Sequence, residues 1–117
     1  MNADVLKQLT KRFAVAVIRL VETLPRDETS RIIGYQLIKA VCSTAGNYRA
    51  VCRSRSRRDF VNKLGVVEEE ADESMFWLEM IIETGKKPAN EVHPLWNEAR
   101  ELLAIFTASR KTAKKNQ

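Results

Sequence analysis

A chain of 117 residues with a formal net charge of +5 is one domain's worth of sequence, long enough to bury a core and too short for two. Hydrophobic residues at 44%, charged residues at 30%, and only four Gly and three Pro describe a helical globular protein and exclude a disordered one. The basic balance permits a nucleic acid or an anionic membrane surface as partner, and the apolar run Phe13 to Ile18, closed by Arg19, is far short of the roughly 20 residues that span a bilayer.

Val5, Leu9, Phe13, Ala16, Val17, Leu20, Val21 and Leu24 recur at helical spacing and Pro25 ends the pattern, which predicts a first helix over residues 5–24. Asp27 or Thr29 can cap a second, carrying Ile32, Ile33, Leu37, Ile38, Val41, Tyr48 and Val51 to about Cys52. Gly34 and Gly46 inside it each cost about 1 kcal/mol relative to Ala, which points to a neighbouring helix passing close by. Ser56 and Asp59 have the spacing of a capping box, so a third helix starts there. It carries Phe60, Leu64, Val67, Ala71, Met75, Leu78 and Ile82 to Thr84, with Gly85 as its C-terminal stop. A fourth begins around Pro94 and packs Leu95, Ala99, Leu102, Leu103 and Phe106.

Short connections between long helices imply antiparallel neighbours. The expected fold is an all-α, up-down-up-down four-helix bundle over residues 1–109, followed by a mobile basic tail, residues 110–117. No signal-peptide pattern precedes the first helix, and the expected location is cytoplasmic. Cys42 and Cys52, read as small buried side chains, would stand ~15 Å apart along one helix, too far for a disulfide.

Charge is segregated along the middle of the chain. Residues 48–63 carry six positive charges and one negative, residues 64–85 seven negative and none positive. Arg49, Arg53 and Arg57 form a ladder if the second helix persists, with Arg55 and Arg58 at the turn beside them. In a hairpin, Arg49 would lie level with about Val61, and Glu68 to Glu73 level with residues 37–42, one to two turns away. The two clusters therefore cannot fully neutralise each other within one chain. The arginines, with Lys63, Lys114 and Lys115, are candidate phosphate ligands; alternatively they meet Glu69 and Glu73 of another copy, or they simply face solvent.

Val66, Phe76, Trp77 and Met80 fall outside the core stripe of the third helix, as Val15 and Ile18 do on the first, and are candidate subunit-interface anchors unless the fourth helix covers them. Gln36, Ser43 and Asn47 share one side of the second helix, either as a polar line partnered by Glu69 or Asp72 or as partly exposed residues. A di-iron bundle site needs Glu-x-x-His on two helices, and the only histidine, His93, stands in an expected loop. One histidine assembles neither a catalytic triad nor a Cys-His couple, so no catalytic residue, metal or cofactor is expected.

The stretch Gly46-Asn47-Tyr48-Arg49-Ala50, then Arg53-Ser54-Arg55-Ser56, Asp59-Phe60, Lys63-Leu64-Gly65 and Glu69-Glu70-Ala71-Asp72-Glu73 through Phe76-Trp77-Leu78-Glu79, resembles a family of bacterial four-helix bundles related to proteins encoded in intervening sequences of 23S ribosomal RNA. The likeness covers roughly residues 5–107 and is specific in the central half. Many members carry Asn-x-x-Glu-Gly after the second helix; here Tyr48, Arg49, Ala50 and Val51 follow Asn47, which resembles an Asn-Tyr-Arg subgroup and carries over no role of that Glu-Gly. The resemblance implies a homopentameric ring. In one relative, the accessory variability protein of diversity-generating retroelements, it implies a basic barrel that binds nucleic acid and a reverse transcriptase. The expected function is a non-enzymatic, oligomeric RNA- or DNA-binding accessory factor; the alternative is a scaffold ring that binds a protein partner, its arginines spent on subunit contacts.

Overall fold

The computed structural model describes residues 2–116, which form four helices, α1 (Ala3–Glu22), α2 (Glu28–Val51), α3 (Arg57–Glu83) and α4 (Ala89–Lys115), with no strand among the described residues. They make a rod of 47 × 20 × 20 Å. Its length is close to the ~40 Å spanned by a 27-residue helix. The helices are arranged as a square: α3 packs along α2 and α4, while α1 packs on α2 and more lightly on α4. At one end Lys86, between α3 and α4, bonds Asp27, between α1 and α2 (3.1 Å). At the other, Ala3, Ser54, Ser56 and Ala113 line a single hollow.

The helix ends follow from local chemistry. Asn2 accepts from the Val5 amide (2.9 Å), Asp27 from Ser30 (2.8 Å) and Ser56 from Asp59 (3.0 Å), each satisfying a first-turn donor that has no partner in its own helix. The Asp59 carboxylate reaches back to the amide of Arg55 rather than that of Ser56 (3.1 Å), one residue beyond an ordinary capping box. Gly85, at φ +69°, ends α3 in a Schellman motif: its amide bonds the Ile82 carbonyl, and that of Lys86 bonds Ile81 (both 3.0 Å).

Phe13, Val17, Leu37, Val41, Leu64, Val67, Leu78 and Phe106 are buried at the centre, and Tyr48 stacks on Phe106 across it (5.6 Å between centroids). The buried hydroxyls of Thr10, Thr44 and Ser74 donate to carbonyls one turn back, so they enter the core without losing a hydrogen bond.

Several expectations are corrected. On α2, Ile32 is 47% exposed while its neighbour Ile33 is buried; on α3, Val61 and Ile81 are buried where Phe60 and Ile82 are only half-buried. Two adjacent apolar residues leave helical periodicity free to choose either. Gly34 does mark a close approach, since a Cβ there would meet Val21 Cγ1 at 2.7 Å, but nothing lies within 4 Å of such an atom at Gly46. α4 starts at Ala89, five residues before Pro94, because wholly buried Val92 anchors the first turn on the core. Residues 110–115 are helix, not tail: Ala113 is buried and Arg110 lies over Gly65. Residue 117 of that expected tail lies outside the described residues. Cys42 is exposed and Cys52 half-buried, so neither is the buried thiol expected. Among the described residues, no helix is long and apolar enough to cross a membrane.

Candidate nucleic-acid interface

α2 ends at Val51, and the chain tightens into a turn in which the amides of Arg53 and Ser54 bond the carbonyls of Ala50 and Val51 (both 3.1 Å). α3 then starts afresh at Arg57. The ladder expected of Arg49, Arg53 and Arg57 is therefore broken, and five arginines fan around a turn in place of a single helix face. Asp59 holds that turn. Its carboxyl is kept below the usual aspartate range, first by the Arg55 amide and next by Lys63 (3.0 Å). Lys63, grouped with the arginines in the sequence, is thus half-buried and ion-paired within the chain.

Arg49, Arg53, Arg55, Arg57 and Arg58 are all exposed. The ion pairs among the described residues use Lys7, Arg31, Lys63, Lys86 and Arg110, so none of the five arginines has a carboxylate within ion-pair distance among those residues. Arg49, in the last turn of α2, suits the negative end of the helix dipole. Arg57 and Arg58 occupy the first turn of α3, where the dipole disfavours cations by about 0.3–1 kcal/mol each. The end of α4 comes to the same place, since Arg57 and Phe60 share a hollow with Thr112, Ala113 and Asn116, and Lys114 and Lys115 are exposed beside it.

The acidic stretch faces elsewhere. Glu69, Asp72 and Glu73 are exposed and enter none of those ion pairs, while Glu68 turns to α4, near Thr107 (3.3 Å) and Arg110 (3.7 Å). Burial pushes the Glu70 carboxyl up, Glu73 adds to this, and Lys39 of α2 partly offsets it. Around these carboxylates, Phe76 is 49% and Val66 43% exposed, and Phe76 meets Trp77 edge to face (4.9 Å). Trp77 and Met80 are half-buried against the core, with Trp77 Nε1 3.4 Å from Glu73. Trp96 is spent within the chain, donating to Glu79 of α3 (2.8 Å).

Val15 is exposed and Ile18 half-buried on α1, as expected of side chains outside the core stripe. The exposed Ile32 and Tyr35 of α2 were not legible as surface residues in the sequence. Gln36, Ser43 and Asn47 are half-buried, and Asn47 donates to the Ser43 carbonyl (2.8 Å), with no hydrogen bond to Glu69 or Asp72. Among the described residues, no group of three or more His, Cys, Asp or Glu side chains is placed to hold a metal ion.

A crystal structure of a protein of unknown function from the S23 ribosomal protein family of Bacteroides thetaiotaomicron VPI-5482 matches this fold with a TM-score of 0.86 and 27% sequence identity, over 95% of this chain and 99% of that one. No family model matches the sequence. No curated protein matches it either.

Proposed function

We propose that this chain is a non-enzymatic, oligomeric accessory protein that binds RNA or DNA in the cytoplasm through phosphate contacts from the basic end of its bundle. The observation that carries this reading is the set of five exposed arginines without a carboxylate partner among the described residues, two of them placed against a helix dipole. Forked guanidinium donors hold phosphates, and because phosphate contacts carry no sequence information such a rim binds without strong sequence preference. Lys114 and Lys115 extend that rim from α4, and Lys63 steadies Asp59 behind it.

The reading includes an up-down-up-down, antiparallel helix order, supported by the meeting of the two pairs of chain segments at opposite ends of the rod. It also includes a ring of copies, for which a pentamer is favoured by the resemblance to the Asn-Tyr-Arg subgroup of intervening-sequence proteins. Exposed Phe76 and Val66, bordered by Glu69 and Glu73, supply a surface for such contacts. A reverse transcriptase or another protein is a further partner by the same resemblance. Likeness to the S23-family structure supports the broad family.

A second reading is favoured by that same acidic and apolar strip: a scaffold ring in which the arginines of one copy meet Glu69 and Glu73 of the next, leaving a protein as the partner. Salt separates the two. Under the first reading, gel-shift affinity for RNA or DNA falls about a thousandfold or more between about 50 and about 200 mM salt while light scattering gives an unchanged mass. Absence of any shift at the lower salt, or Arg53→Glu with Arg57→Glu turning the protein monomeric, defeats the first reading in favour of the second.

A further inference from the structure

Two hollows open at the basic end, and they share a wall. The first, about 500 Å³, has Tyr48, Val51 and Phe60 among its apolar lining and Ser54 and Arg57 among its polar lining. The second, about 430 Å³, is lined by Ser109, Thr112 and Asn116 on one side and again by Phe60 and Arg57 on the other. Both are shallow and open to solvent, so they suit a flat group laid against the surface and not an enclosed ligand. Tyr48 belongs to the core: its ring lies on Phe106, and burial, followed by nearby Cys52, pushes its hydroxyl up to about 12. Phe60 is different. It is half-buried, packed on the core from one side and bordering both hollows from the other.

We infer that the basic end takes single-stranded nucleic acid, with two successive unstacked bases lodged in the hollows on either side of Phe60 and Arg57. The inference rests on the nucleic-acid reading above and narrows it. In a duplex the bases are stacked inside and only phosphates, sugars and groove edges meet a protein, so hollows with an aromatic wall would stand empty beneath it. In a single strand each base has a free face that an aromatic ring or a guanidinium plane can cover. Phe60 offers the ring. Arg57, bordering both hollows, is placed to hold the phosphate that joins two bases or to lie flat on one of them. Ser109, Thr112 and Asn116 bring hydroxyl and amide groups that can both donate and accept, which suits base edges of any identity.

This also gives the last turns of α4 a purpose. Without residues 109–116 the second hollow has no outer wall.

The test is fluorescence anisotropy with labelled strands of about 12 nucleotides, within the site sizes known for single-strand binders. The strands are homopolymeric RNA, homopolymeric DNA, an abasic DNA strand with the same phosphates, and a duplex. Both single strands should bind at least about tenfold tighter than the abasic strand and the duplex, since stacking contributes about 5- to 150-fold per base. Any difference between the RNA and DNA arms identifies the sugar preferred. Phe60→Leu should weaken single-strand binding about tenfold and leave the abasic strand unaffected, with a thermal melt confirming the fold. Thr112→Leu, at an exposed position, puts a branched apolar side chain in place of a hydroxyl in the wall of the second hollow and should weaken single-strand binding in the same sense without touching the core. Equal binding of the abasic strand, or of the duplex, overturns the inference while the phosphate-binding function survives. Failure of every strand to bind overturns both.

Discussion

Gly34 of α2 and Val21 of α1 pack so closely that a Cβ on the glycine would stand 2.7 Å from Val21 Cγ1. Gly46, three turns further along α2, has nothing within 4 Å of the same position. The two glycines therefore respond oppositely to alanine. Gly46→Ala should stabilise the protein by about 0.5–1 kcal/mol, the propensity gain of a helix interior. Gly34→Ala should destabilise it despite the same gain, because β-branched Val21 cannot swing aside without leaving its rotamer. Urea denaturation of the two variants checks the signs.

Charge at the start of α3 should trade stability against binding. Arg57→Gln and Arg58→Gln each remove a cation from the positive end of the helix dipole, so thermal melts should show variants at least as stable as the parent, by up to about 0.3–1 kcal/mol each. In gel shifts the same variants should bind more weakly, each lowering the slope of log affinity against log salt by about 1. Variants that melt earlier would mean that these arginines have a structural task.

Acid should unfasten the far end. Asp27 caps α2, bonds Lys86, and is held well below its ordinary value of 3.8 by the Ser30 amide first and Lys86 next. A depressed folded pKa adds stability above the unfolded value that disappears as pH falls through the folded one. Denaturation midpoints of the parent should therefore drop below about pH 4, and Asp27→Asn should lose stability at pH 7 but show a shallower acid decline.

Arg110 fastens the last turns of α4. Its guanidinium lies over Gly65, with Nε 3.3 Å from the point a Cβ would occupy and 3.7 Å from Glu68 Oε1. The pair makes no hydrogen bond, and Arg110 is more than a third exposed, so its loss should cost under about 1 kcal/mol globally. Locally the effect should be larger: Arg110→Ala should speed amide exchange at residues 110–115 and leave the first three helices unchanged.

Phe76, half-exposed among carboxylates, is the residue whose removal should most affect self-association. Phe76→Ser should lower the mass measured by light scattering at micromolar protein while the melting temperature falls little, because the ring is only half-covered within one copy.

Helix number, the cap at Ser56 and the stop at Gly85 were legible because each has a local cause: periodicity, a side-chain acceptor, a positive φ. The start of α4 was not. Pro94 looked like a first-turn residue, but Val92, one buried side chain in a polar stretch, draws five earlier residues into the helix. The basic tail failed for a similar reason, since the features that keep it helical, Gly65 and Glu68, sit more than 40 residues upstream. As for the site, the arginines could be read from composition, whereas the break in their ladder depended on how tightly residues 52–56 turn. The hollows beside Phe60 could not be read at all. They require two ends of the chain and one turn to converge.

The ion pair between Lys86 and Asp27 ties two connections together at one tip of the rod, while the opposite tip carries uncompensated guanidiniums. Such a cylinder has a head and a foot. Stacking two heads would press like charges together, and in the ring proposed above, copies aligned flank to flank in the same sense would gather their heads into one crown whose field grows with each member added.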